Sequence, residues 1–195
     1  MSKIKATQSD VIATKKASEF GVGEPKFLWH PFLPAKKLVV CQGESGIGKS
    51  SFILNIASRL SRGEHMPFVE SDEPAEIGNT LYFTTEDDKE ETVNPRLIAM
   101  GADRDRIDLQ TEVFHLDNDC RVLENTIRKL KSRLVIFDPL TSFLSSKHNM
   151  NTAQSVGNLV RELSCTAFNT DSTIVLICHL LYENSYNKCY TLKCS

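Results

Sequence analysis

The sequence predicts an α/β protein with a mainly parallel sheet flanked by helices. Three observations carry this. Short apolar, β-branched runs alternate along the chain with segments of helical period. The stretch Gly43-Glu44-Ser45-Gly46-Ile47-Gly48-Lys49-Ser50 fits G-x-x-x-x-G-K-[ST], and it stands between a strand-like and a helix-like run. Polar residues Glu86, Asp138 and His179 follow directly on three further strand-like runs.

The bulk numbers set limits. A chain of 195 residues fits one domain with a short extension, and it can bury a full core without disulfide or metal staples. The formal net charge of −2 gives no overall argument for a nucleic-acid or membrane partner, though a local basic groove stays open. The six cysteines, Cys41, Cys120, Cys165, Cys178, Cys189 and Cys194, form no CxxC pair and no zinc spacing. They read as reduced, and the protein as cytoplasmic. Met1-Ser2-Lys3-Ile4-Lys5 leads into polar residues, not a secretory apolar stretch, and no run approaches membrane-spanning length.

Residues 1–25 are polar and read as a flexible N-terminal arm, with at most a turn or two of helix near Ile12, Ala13 and Ala17. Lys26 to Pro34 is the most aromatic stretch and holds the only tryptophan, Trp29. Its two prolines preclude a regular helix. Packing over a sheet edge is the favoured reading, and a flap near a nucleotide base is the alternative. Leu38-Val39-Val40-Cys41 reads as a buried strand, and Ser51 to Leu60 as a helix that Arg62-Gly63-Glu64 stops. A long acidic loop follows over residues 64–79. Thr80 to Thr85 is the next strand. A helix with Val93, Leu97 and Met100 on one face comes after it, with Asn94 as candidate cap, Pro95 in its first turn and Gly101 as its stop. One of Arg106–Leu109 and Val113–Leu116 is expected to be a sheet strand. Asp117 or Asn118 then caps a helix with Leu123, Ile127 and Leu130 inward. Leu134 to Phe137 is a buried strand closed by Asp138. Residues 145–151 form a polar loop, and Asn151 or Thr152 opens a helix with Val156, Leu159, Val160, Leu163 and Ala167 on one face. The last strand is Thr173 to Cys178, closed by His179.

Ligands of an open parallel sheet sit beyond the carboxyl ends of its strands. There the glycine loop turns backbone N–H groups toward phosphate oxygens, and the following helix adds its positive end. Lys49 can reach β- and γ-phosphates, and the Ser50 hydroxyl can bind Mg²⁺. Asp138 can hold the same metal through water, although an Asp before Pro139 also suits a turn or cap. Glu86 is the best candidate to polarise an attacking water; Asp87 and Asp88 compete, or all three are simply an acidic helix start. His179 can donate to a γ-phosphate, but position alone does not separate that from a structural role. Asn187-Lys188-Cys189-Tyr190 lacks the Asp of a guanine-reading motif. No nucleophile triad appears, and no basic lid of a small-molecule kinase follows Asp138.

Five stretches in this order carry a resemblance: Gly43 to Ser51, Leu81 to Asp87, Arg96 to Ala102, Leu134 to Leu140, and Cys178-His179-Leu180. Together they resemble the RecA-like P-loop ATPases related to the plasmid replicative helicase RepA, a group common in plasmids, phages and mobile elements. The resemblance covers residues 26–180. It implies an ATP-binding core, often a hexameric ring acting on single-stranded DNA, and a helicase-like ATPase in DNA replication or a related transaction. It implies ATP contacts across Gly43, Glu44, Ser45, Gly46, Ile47, Gly48, Lys49, Ser50 and Ser51, metal contacts at Ser50 and Asp138, and catalytic roles for Glu86, Lys49 and His179, the last as γ-phosphate sensor. The sequence departs from the family at Ala35, where glycine is usual, and beyond His179-Leu180. No early lysine follows that pair, and no arginine follows Arg161. Residues 181–195 read as an atypical tail and the core as lacking the last strands. The alternative is therefore a shortened nucleotide-binding module with little turnover, unless Lys188 or Lys193 replaces the missing arginine finger. For single-stranded DNA the best basic cluster is Arg128, Lys129, Lys131 and Arg133.

Overall fold

The computed structural model describes residues 13–68, 76–116, 120–145 and 153–179. A short antiparallel hairpin comes first, β1 (Phe27–Trp29) and β2 (Leu33–Pro34). Strand β3 (Leu38–Gly43) leads through the glycine loop into helix α1 (Lys49–Arg62). Then come β4 (Asn79–Thr84), α2 (Asn94–Ala99) and β5 (Ile107–Leu109). Helix α3 (Cys120–Leu130), β6 (Ser132–Asp138), α4 (Ala153–Asn169) and β7 (Thr173–His179) complete the described chain. Strands β3 to β7 form one parallel sheet in the order β3-β7-β6-β4-β5. Strand β7, the last among the described residues, lies between the loop strand β3 and the strand that ends in Asp138.

Alternation along the strands sorts the core into two layers. Leu134, Ile136, Val175, Ile177 and Tyr82 face α1, α2 and the hairpin. Val135, Phe137, Ile174, Leu176 and Phe83 face α3 and α4. Both faces are covered, so the strands read as unbroken apolar runs. On the α3/α4 side Phe83 stacks on Phe137, with ring centroids 4.4 Å apart, and Phe143 meets both edge-on at 5.7 and 5.5 Å.

Where the sequence left two strand candidates open, Ile107 to Leu109 pairs with β4. Val113 is exposed, and Leu116 instead donates its N–H to Phe143 O at 2.8 Å. The Asn94 cap expectation is corrected. Asn94 already has helical backbone angles, and the chain coils from Asp88, whose carboxylate accepts from the Glu90 and Glu91 N–H groups. Pro95 has no N–H to continue an α ladder. The preceding turn is wide instead: Val93 and Asn94 donate five residues back, to Asp88 O and Lys89 O. Gly63 (φ 67°) and Gly101 (φ 67°) close their helices in the left-handed conformation, as expected. The weak arm helix is one exposed 3₁₀ turn, Ala17–Glu19. The expected caps at Asp117, Asn118, Asn151 and Thr152, and the tail at 181–195, lie outside the described residues.

The aromatic segment packs. Trp29 is buried against Phe32 and Phe52, with centroids at 4.6 and 5.7 Å, and its indole N–H donates to Pro67 O at 2.9 Å. Thr173 Oγ1 donates to Pro34 O at 3.0 Å, which ties the hairpin to the start of β7.

Phe143 fills the gap beneath the segment that follows Asp138, and it is fully buried. Phe143→Ala is expected to cost about 3–5 kcal/mol of stability, read as a lowered urea midpoint at unchanged slope.

Candidate nucleotide site

The loop's shape follows from its glycines. Gly46 (φ 80°) and Gly48 (φ 88°) hold left-handed angles that a side chain disfavours. A Cβ on Gly43 would lie 2.6 Å from Ile47 Cδ1. The first N–H groups of α1 have no acceptors within the helix. Gly48, at the cap position, supplies no side chain to satisfy them, and no acidic residue stands in the first turn. The helix therefore presents N–H groups and its positive end to the loop, an arrangement suited to phosphate.

Strand register brings the other residues to the same edge. Gly43 aligns with His179 across β3 and β7, and Thr84 with Asp138 across β4 and β6. Parity chooses the face. Asp138 lies two residues beyond Ile136, and His179 two beyond Ile177, so both emerge on the α1 side.

Lys49 is almost wholly buried. Its ammonium donates to Gly43 O at 3.0 Å and Glu44 O at 2.6 Å, and meets His179 Nδ1 at 3.2 Å. An ammonium only donates, so Nδ1 is the acceptor and the ring proton sits on Nε2. That nitrogen faces Glu86 Oε2 at 3.5 Å. Lys49, His179 and Glu86 thus form one polar line across the mouth of the loop. Among the described residues no carboxylate pairs with Lys49, so its charge is available to an anion.

The three consecutive acids separate. Asp88 is the helix cap, and Asp87 binds Arg96 Nη1 at 2.7 Å. Glu86 is more than half exposed and faces His179. Asp138 is buried, and its Oδ2 accepts the Tyr82 hydroxyl at 2.7 Å. Burial and then the adjacent Asp138 carboxylate push the Tyr82 phenol far above its usual range. Burial also pushes the Cys41 thiol up, so it stays protonated beneath the loop.

Sequence reasoning did not single out Tyr82 or the Asp87–Arg96 pair. Tyr82 carried a signal: it is the one hydroxylated ring in an apolar strand, and such a hydroxyl needs a partner when buried. The expected basic cluster lies elsewhere. Arg128, Lys131 and Arg133 line a groove of about 1100 Å³ with Lys26 and Lys36, at the amino edge of the sheet. Arg133 pairs with Glu76 at 2.6 Å and Lys36 with Asp171 at 2.6 Å, and the latter pair holds Asp171 below the usual carboxylate range.

Sheet order, loop and strand-end residues define a P-loop ATPase fold of the RecA-like class. A family model described as an AAA domain matches residues 10–184, and the chain belongs to that family of nucleotide-binding ATPases. No curated protein matches the chain. Among the described residues no helix is long and apolar enough to cross a membrane.

Gly48→Ala places a Cβ on a left-handed residue and is expected to cost about 1–2 kcal/mol. Urea unfolding and titration with a fluorescent ATP analogue check this: stability falls, and affinity falls further than in Gly21→Ala, where a Cβ meets open space.

Proposed function

We propose that the protein binds ATP with Mg²⁺ and hydrolyses it to ADP and phosphate, as a helicase-like ATPase of DNA replication or a related DNA transaction. The observation that carries this is the line Lys49–His179–Glu86 at the loop mouth. Residues Gly43 to Ser51 hold the triphosphate, with Lys49 exchanging its carbonyl partners for phosphate oxygens. Ser50 and Asp138 would hold Mg²⁺, which neutralises charge on the β- and γ-oxygens when bound. Among the described residues no cluster of three or more His, Cys, Asp or Glu side chains could hold a metal by itself. A site of one hydroxyl, one carboxylate, phosphate and water suits Mg²⁺, which keeps much of its hydration.

Glu86 orients and polarises the attacking water. Its exposure leaves room for that water, and Asp87 and Asp88 are engaged elsewhere. His179 donates Nε2–H toward the γ-phosphate side. Because its other nitrogen touches Lys49, a change at the phosphate reaches β7 directly. The residues carrying this chemistry fall within a core of 26–180. The resemblance to RepA-related ATPases supports a hexameric ring of the kind common in that group, with single-stranded DNA as partner and a cytoplasmic setting. The groove holding Arg128 and Lys131 supports a polyanion contact away from the ATP site.

ATP turnover with and without single-stranded DNA tests the proposal. Lys49→Ala should weaken ATP binding more than about tenfold. Glu86→Gln should retain binding and lose about 100-fold in turnover. DNA should stimulate the wild type alone. Tight binding with no turnover in the wild type would leave a nucleotide-binding module and overturn the helicase reading; no ATP binding would overturn both.

A further inference from the structure

The Tyr82 hydroxyl is fully buried in the layer under α1. It lies inside the sheet, one strand away from Asp138, and contributes nothing to the loop itself. Its phenol runs along the sheet from a position opposite Ile136 and reaches the Asp138 carboxylate two residues further on. Thr84, two residues further along β4, stands directly opposite Asp138 in the register of β4 and β6. Thr84 Oγ1 in turn accepts the Asp87 N–H at 3.4 Å. Asp87 is the immediate neighbour of Glu86 and is pinned by Arg96. Two residues of β4 therefore meet the end of β6: Tyr82 through its hydroxyl on the Asp138 carboxylate, and Thr84 through register, while its Oγ1 holds the first turn of the loop bearing Glu86.

A buried carboxylate with two free oxygens can rotate or bind a metal through both. A donor fixed on Oδ2 leaves Oδ1 alone to face the site. The donor's own orientation is fixed by packing among Leu97, Ile107, Leu134 and Ile136 in the same apolar cluster. The phenol O–H donates to Oδ2 at 2.7 Å from a fully buried ring, so it is a rigid donor.

We propose that Tyr82 is a positioning residue for the metal: it holds Asp138 in the one-oxygen presentation that receives hydrated Mg²⁺. This rests on the nucleotide site proposed above. The hydroxyl touches neither nucleotide nor metal, and it acts through Asp138. Its loss should change how much metal the site requires before it changes how well nucleotide binds.

Tyr82→Phe removes only the hydroxyl. Binding of a fluorescent ATP analogue is titrated with Mg²⁺, and separately measured in EDTA. The Mg²⁺ concentration for half-maximal tightening should rise about tenfold, as expected for loss of a hydrogen bond to a charged group. Affinity in EDTA should stay within about twofold of wild type. A packing role alone would lower the melting temperature and leave the metal requirement where it was; that result overturns the proposal. A second measurement covers a Phe variant that does not fold. With 3-fluorotyrosine at position 82, the fluorine resonance should move when Mg²⁺ is added to the ATP-bound protein, and an unmoved resonance overturns the proposal. If the wild type binds the analogue neither with nor without Mg²⁺, the nucleotide reading itself fails and this inference with it. Binding that is normal, with a metal requirement indifferent to Tyr82, sinks only the inference.

Discussion

Parallel strands must end on the same side, and in this protein that constraint organises everything else. Each carboxyl end is delivered to one edge by a helical crossover, and the two-residue repeat of a strand then fixes which face each end residue takes. Gly43, Asp138 and His179 share parity with Cys41, Ile136 and Ile177, all in or against the cluster under α1. The apolar packing that holds α1 to the sheet is therefore the same packing that aims the chemistry. A one-residue slip of β6 would turn Asp138 toward the Phe137–Phe143 layer and leave a carboxylate buried without its phenol.

Charge at the mouth of the loop is arranged with little redundancy. Lys49 is buried and held by two carbonyls and an imidazole, all neutral acceptors. A carboxylate in their place would saturate the cation and weaken any anion's hold on it. The acids are kept back by structural tasks: Asp88 caps a helix and Asp87 holds Arg96. Glu86 is left facing a histidine, a partner that releases a carboxylate more readily than an arginine would. Separating three adjacent acids in this way needs the chain to turn sharply after β4, and the wide helical turn ahead of Pro95 accomplishes it.

Much of this was legible in the sequence, for physical reasons. The buried strands are short apolar runs and the helices are strongly periodic, so their identity survives any uncertainty at their ends. Convergence of the glycine loop, Glu86, Asp138 and His179 followed from parallel topology alone. The reading failed where a local preference competed with a backbone need. Asn94 has a capping side chain, but Pro95 forces the helix to begin earlier, where Asp88 is available. Val113 to Leu116 has strand composition, yet the pairing of β5 ends at Leu109, and the Leu116 N–H goes to Phe143 O in place of a strand partner. Tyr82 escaped notice because a tyrosine in an apolar run looks like core. Only register, Thr84 opposite Asp138, shows that its hydroxyl arrives beside a carboxylate.

That hydroxyl also explains why a carboxylate is tolerated at the end of a buried strand. Asp138 retains almost no contact with water. A carboxylate so placed is unfavourable unless hydrogen bonds stand in for its hydration. Supplying them from the loop or from α1 would occupy the groups that a phosphate requires. Supplying one from inside the sheet leaves the open edge free. The layer under α1 thus contributes the Tyr82 hydroxyl at the place where core and site meet. That placement makes the position of the carboxylate a property of the sheet and independent of the loop's conformation.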